Sequence, residues 1–315
     1  MIRTAIDLVG STPLIEVARF AAQCGSQATI CAKLEQFNLT GSVKDRVAKA
    51  LIADGESRGI LSDGSIIIEA SSGNTGIGLA AVGAAKGYPV WIVMPDSVSV
   101  ERRAMMQAYG AKLFLTPGSR GMKGAIALAE QLEQDNPNAH ILGQFTNPAN
   151  PQVHYLTTGP EIWEQSEEEV DVLVAGIGTG GTISGAGRFL KEMKPSVTVV
   201  GVEPSKSAVI SGGEHSPHAI QGIGAGFIPD TLDRSVLDQM IQIDDEDAVA
   251  TARMFSASEG VFVGISAGAA LAAARQISLD PAFAGKKIVV VLPDSGDRYL
   301  STPLGTFPDI ETSEI

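Results

Sequence analysis

Cysteine and histidine are scarce in this chain of 315 residues, and their scarcity removes whole classes of chemistry. The only two cysteines, Cys24 and Cys31, have no C-x-x-C spacing. They read as free, mostly buried thiols in a reducing compartment, which makes a cytoplasmic location the expectation. The four histidines, His140, His154, His215 and His218, form no metal-type cluster. His215 and His218 are close together, but Pro217 separates them in a Gly/Ser/Pro-rich stretch, which reads as a surface loop and not as a ligand pair. No metal is expected. Positive charge is also short: Lys and Arg total 23 against 36 Asp and Glu, a net charge of −13. Such a surface offers no footprint for nucleic acid or for anionic lipid. No apolar run approaches the roughly 20 residues of a membrane helix. The opening "MIRTAIDLVGSTPL" lacks a charged segment followed by an apolar one, so no signal peptide is expected. Sequence repeats and low-complexity tracts are missing as well.

What the chain does have is apolar residues, 44% of the total, arranged in short runs. These are "ATICAKLE" (28–35), "SIIIEA" (65–70), "PVWIVMPD" (89–96), "AKLFLT" (111–116), "HILGQF" (140–145), "DVLVAG" (171–176), "VTVVGVE" (197–203) and "KIVVVLPD" (287–294). Several are apolar throughout instead of alternating, as strands buried on both faces of a parallel sheet are. The intervening segments 76–86, 99–109, 121–134 and 181–194 have helical spacing. Alternating strand and helix predicts an α/β, doubly wound architecture, and the length suggests roughly two domains. The seam is placed at "GQFTNPANPQVHY" (143–155), where two Asn-Pro steps disfavour helix.

A doubly wound sheet binds ligands at the carboxyl ends of its strands, and four stretches compete for that place. In "DVLVAGIGTGGTISGAGRFL" (171–190), Gly176, Gly178 and Gly181 satisfy G-x-G-x-x-G, and Glu203 follows after a second apolar run, as a dinucleotide fingerprint asks. The same loop could hold another phosphate, since a helix N-terminus presents free N–H groups and the positive end of a dipole. In "EASSGNTGIGLA" (69–80), Ser71, Ser72, Asn74 and Thr75 crowd a helix start. An ordinary N-cap needs one such residue, so four read as a cradle for a carboxylate or phosphate. Lys44, in "FNLTGSVKDR" (37–46), and Ser266, in "VFVGISAGAALAAA" (261–274), read by themselves as a charged helix start and a plain N-cap.

Taken in order, "GSVKDR", "SSGNTGIGLA", "GTGGT", "GIGAGFIP" and "GISAGAA" resemble the cysteine synthases, or O-acetylserine sulfhydrylases, of the fold type II pyridoxal-phosphate enzymes. The resemblance runs from "VGSTPLIEV" to "SGDRYLST". It implies two doubly wound domains with mostly parallel sheets, of the tryptophan synthase β-like kind. The division it implies is 40–147, with a mobile subdomain at about 88–134, and 1–39 plus 148–315 as the cofactor domain. It implies pyridoxal 5′-phosphate as cofactor, with Lys44 as the lysine that bonds it and as the catalytic base. Gly178, Thr179, Gly180, Gly181 and Thr182 would hold the 5′-phosphate, Asn74 the ring oxygen, and Ser266 would face the pyridine nitrogen. Ser71, Ser72, Asn74, Thr75 and Gln144 would hold the substrate carboxylate. O-acetylserine and sulfide are the implied substrates, a homodimer the implied assembly, and the C-terminal peptide of serine acetyltransferase an implied partner. Leu39-Thr40 and Ser71 depart from the common family pattern without removing a reactive group. A B-type cysteine synthase, a cystathionine β-synthase core, a non-catalytic regulatory subunit and a dehydrogenase using Glu203 remain as alternatives.

Overall fold

A computed structural model describes residues 2–307. The strands are β1 (Leu14–Glu16), β2 (Thr29–Leu34), β3 (Ile66–Ala70), β4 (Val90–Pro95), β5 (Lys112–Thr116), β6 (Ala139–Ile141), β7 (Val172–Gly176), β8 (Thr198–Pro204), β9 (Gln239–Ile243) and β10 (Lys287–Leu292). They form two sheets. One has six strands in the order β1-β2-β10-β7-β8-β9, parallel except for β1; the other has four in the order β5-β4-β3-β6, all parallel. The α/β reading therefore holds, with the parallel pairing that unbroken apolar runs require. In β10 all five residues from Ile288 to Leu292 are buried, because helices cover both faces of the central strands.

Three local features differ from the sequence reading. The strands β1 and β9 carry no long apolar run: β1 has three residues, and β9 is a half-exposed edge reading Gln-Met-Ile-Gln-Ile. The run 140–145 leaves its sheet at Ile141, because Gly143 takes a left-handed φ of 73° and its carbonyl accepts from the N–H groups of Thr146 and Asn147. Gln144 is thereby turned out of the sheet. Finally, the Asn-Pro segment is where the chain passes from the four-stranded sheet to the six-stranded one, yet Ala149–Val153 is helical. Pro148 is its N-cap and Pro151 lies in its first turn, where a missing N–H costs nothing.

A buried ionic cluster fixes the helix Lys44–Ser57 to the six-stranded sheet and its covering helix. Arg46 donates to both oxygens of Glu35 at 2.7 and 2.9 Å and to both oxygens of Glu161 at 2.7 Å. Lys33 Nζ reaches Glu161 at 2.8 Å and the Thr12 carbonyl at 2.6 Å. Every charge in the cluster is paired, as burial demands. Because Arg46 is two residues past Lys44, the same bonds fix the first turn that carries Lys44.

Candidate active site

Four helix starts meet at one cavity of about 510 Å³ at the carboxyl ends of β3 and β7. The helices are Lys44–Ser57, Asn74–Lys86, Gly181–Met193 and Ile265–Ser278. Lys44 and Ser71 line the cavity, as do Ser72, Asn74, Thr75, Gln144, Gly178, Thr179, Gly180, Thr182 and Ser266. Gly181 stands behind the lining, against the side chain of Asn150.

The loop after β7 is shaped for an anion. No acceptor is found among the described residues for the backbone N–H groups of Gly178, Thr179, Gly180 and Thr182. At its glycines a side chain has no room. A Cβ on Gly178 would meet the Gly222 carbonyl, one on Gly181 would meet the Asn150 amide, and one on Gly180 would lie 2.6 Å from Leu232 Cβ. Gly180 also has a left-handed φ of 82°. Side chains outside the loop hold it in place. Asn150 Nδ2 donates to Thr179 Oγ1 at 2.9 Å, Thr231 Oγ1 to the Thr179 carbonyl at 2.6 Å, and His154 Nε2 lies 3.2 Å from Thr182 Oγ1. Burial, then the charges of Arg46 and Lys44, pushes the His154 pKa well below its ordinary value, so the ring is neutral. Unpaired N–H groups on a glycine-rich loop at a helix N-terminus fit a phosphate. Glu203, by contrast, is buried and accepts from Ile210 N, Ser211 N and Ser211 Oγ. It secures its own turn, which removes the dinucleotide reading of the glycine motif.

The loop after β3 offers a second anion cradle. Ser71 Oγ accepts from the N–H groups of Gly76 at 3.0 Å and Gly73 at 3.4 Å, so one hydroxyl does the capping. The N–H groups of Ser72, Asn74 and Thr75 find no acceptor among the described residues. Thr75 Oγ1 donates to Gln144 Oε1 at 2.6 Å, which joins the turn at 143 to this loop. Asn74 is clamped: its Nδ2 donates to Asp294 Oδ2 at 2.6 Å and its Oδ1 accepts from Arg298 Nη1 at 2.5 Å. Tyr299 Oη donates to the same Asp294 oxygen at 2.5 Å.

Between the cradles stands Lys44, whose amine makes no hydrogen bond or ion pair among the described residues. Burial lowers its pKa, against the opposing charges of Asp294 and Glu35. Ser266 is buried in the first turn of its helix, but Gly264 is the N-cap and no side-chain cap bond forms. The plain N-cap reading is thereby excluded, and the hydroxyl is left to the cavity. His215 and His218 also line the cavity from the 211–219 loop, with Nδ1 of His215 against Ser207 Oγ and Nε2 of His218 against the Gly224 carbonyl. No group of metal-binding side chains occurs among the described residues.

A family model described as pyridoxal-phosphate dependent enzyme matches residues 6–294. The chain belongs to that family. It is 48% identical to cysteine synthase A of Escherichia coli (strain K12), over 97% of this chain and 95% of the relative. The crystal structure of the cysteine synthase of Entamoeba histolytica superposes with a TM-score of 0.95 at 41% identity, covering 99% of this chain and 93% of that one. That of an O-ureido-L-serine synthase gives 0.94 at 43% identity, covering 100% and 98%. Membership makes pyridoxal phosphate the cofactor, and a loop with free N–H groups at a helix N-terminus is chemically suited to its phosphate. The supports Asn150, His154, Thr231, Asp294 and Arg298 escaped the sequence reading of the site. Asn150 and His154 sit in "NPANPQVH", and Arg298 in "SGDRYLST", so the motifs were visible while the contacts were not.

Proposed function

We propose that this enzyme makes L-cysteine from O-acetyl-L-serine and sulfide and releases acetate, with pyridoxal phosphate as cofactor. The observation that carries the reading is the unpaired Lys44 amine between two loops with free N–H groups, in a chain nearly half identical to cysteine synthase A. Gly178 to Thr182 hold the phosphate, Asn74 the ring oxygen, and Ser266 the pyridine nitrogen. When bound, the cofactor supplies an electron sink for the amino acid's Cα–H bond. The N–H groups and hydroxyls of Ser71, Ser72, Asn74 and Thr75, with Gln144, bind the substrate carboxylate, and so decide which Cα bond is aligned to break. Lys44 takes the Cα proton and later returns it. Its lowered pKa makes the amine easier to deprotonate than a surface lysine, which suits a base.

The division into 40–147 and 1–39 plus 148–315, with 88–134 as a mobile subdomain, belongs to this reading. A homodimer, a cytoplasmic location and a serine acetyltransferase C-terminal peptide competing for the carboxylate cradle belong to it too. Among the described residues no helix is long and apolar enough to cross a membrane. The test is direct. The purified protein should show a visible absorption band from bound cofactor, and should form cysteine with sulfide faster than it uses thiosulfate or homocysteine. Lys44→Ala should abolish that band and cut turnover by about a thousandfold or more while the far-ultraviolet dichroism is kept. Near-normal activity in Lys44→Ala would end the proposal.

A further inference from the structure

One cation of the cleft has no task in the reaction above. Arg102 projects from the helix Val100–Ala108, and its side chain is only 6% exposed. Its Nη1 donates to the Ser72 carbonyl at 3.3 Å, and its guanidinium lies over the Tyr299 ring at 5.1 Å. Its Nε is buried with no partner at all. A Cβ on Gly73 would approach Nη1 to 3.4 Å, so the loop and the arginine are in close contact. Arg46 is equally buried and is matched by two carboxylates. Arg102 forms no ion pair among the described residues, and its neighbour Glu101 faces Ser301 at the surface instead.

A guanidinium stays charged at any ordinary pH, and a buried charge without a counter-ion is costly. The cavity that Arg102 lines contains a cradle of neutral N–H groups and hydroxyls, and the carbonyl it touches belongs to that cradle. We propose that Arg102 supplies the counter-charge for the substrate α-carboxylate, so that this site selects amino acids over their uncharged amides. The proposal rests on the reading of the 71–75 loop as the carboxylate site. Arg102 acts through the field it places on that loop and by fixing the Ser72 peptide, while Lys44 performs the proton transfers.

The test compares a charged with an uncharged ligand on the cofactor-loaded enzyme. L-serine and L-serinamide, which lack the acetyl leaving group, are titrated by calorimetry into the wild type, Arg102→Gln and Arg102→Lys. Loss of the charge should weaken L-serine about tenfold and leave L-serinamide within about twofold, since the effect is Coulombic. Arg102→Lys, which keeps the charge, should recover most of the loss. The KM for O-acetylserine should rise with the L-serine affinity loss. Equal weakening of both ligands would reduce Arg102 to packing. An effect confined to sulfide dependence or to acetate inhibition would assign the charge to the nucleophile or the leaving group, and an unchanged L-serine affinity would leave it no role; each overturns the proposal. The titrations need no turnover. A wild type that selects serine over serinamide through Arg102 but forms no cysteine would refute the proposed reaction and leave this inference standing.

Discussion

Two carboxyl groups, Glu161 partly buried and Glu69 fully buried, respond to pH in opposite directions. Burial drives the Glu161 pKa up, but the hydrogen bonds and charges of Arg46 and Lys33 more than offset it and hold it at about 2. A carboxyl with a depressed pKa stabilises the fold above its unfolded value, 4.5, and that stability is lost as pH falls from 4.5 towards 2. Glu161→Gln should therefore cost about 3 kcal/mol at neutral pH and progressively less in acid. Glu69 is the reverse. Burial raises its pKa to about 7, with the N–H groups of Gly143 and Gln144 opposing. Its folded form keeps a proton that the unfolded form gives up, so its contribution is full below 4.5 and falls as pH rises from 4.5 through about 7. Glu69→Gln should be near neutral at pH about 5 and stabilising by roughly 1–3 kcal/mol at pH about 8. Urea unfolding of both variants at these two pH values checks the pair; equal shifts at both for Glu69→Gln would mean that the carboxyl is ionised in the fold throughout. Ser266 allows a sharper change at one atom. Its neutral hydroxyl cannot hold a facing ring nitrogen protonated, whereas a carboxylate can. Ser266→Asp is expected to slow acetate release by roughly tenfold or more and to add absorbance at longer wavelength in stopped-flow spectra with O-acetylserine. Spectra and rates identical to wild type would leave Ser266 with no electronic role.

At the scale of single elements, the glycine loop makes the most specific demand. Four of its N–H groups have no acceptor among the described residues, and its glycines stand where a Cβ would collide with neighbouring atoms. Gly178→Ala forces a methyl against the backbone carbonyl of Gly222, which has no flexible end to yield. The expected outcome is a folded protein with cofactor affinity lowered by at least about tenfold, read by dialysis and visible absorbance; retention of wild-type affinity would show that the loop adapts. The same loop shows what a sequence can and cannot say. Its glycines and the strand and helix around them were legible, because period and composition encode buried parallel strands. Whether Glu203 belonged to a ribose was not, because that depends on Ile210 and Ser211 folding back onto it. Ser266 likewise looked like a cap until Gly264 proved to be the cap. Edge strands β1 and β9 were missed for a related reason: half-exposed and short, they need no continuous apolar run. The clamp on Asn74 joins residues more than two hundred positions apart, and no local pattern carries that information.

Across the whole molecule the proposed site is shared between the two sheets. The glycine loop and Ser266 belong to the side of the six-stranded sheet, and the Asn74 loop to the four-stranded one. The segment 88–134 holds β4, β5, the helix Val100–Ala108 and all but the last residue of the helix Gly121–Asp135. Many of its polar bonds are internal: Arg103 donates to the Val98 and Asp96 carbonyls, and Gly118 N donates to Asp96 Oδ1. Trp91 and Phe114 pack together within it at 5.4 Å. Its links to the neighbouring strand β3 and the loop after it include the β3–β4 ladder, the bond from Ser71 N to the Val93 carbonyl and that from Arg102 to the Ser72 carbonyl, on the loop proposed to bind the substrate carboxylate. A carboxylate that draws in the 71–75 loop would therefore draw in the segment as a unit, and closing the cavity would exclude water from the reacting Cβ. The expected result is a rigid displacement of residues 88–134 by at least about 1 Å between free and substrate-analogue-bound crystals, larger than at loops elsewhere. Slower hydrogen exchange at 97–102 on adding L-serine should accompany it. Because Arg102 joins the segment to the loop, Arg102→Gln should weaken that protection even when serine is saturating. Crystals that superpose throughout 88–134, with unchanged exchange in the wild type, would place the exclusion of water in the preformed cleft instead.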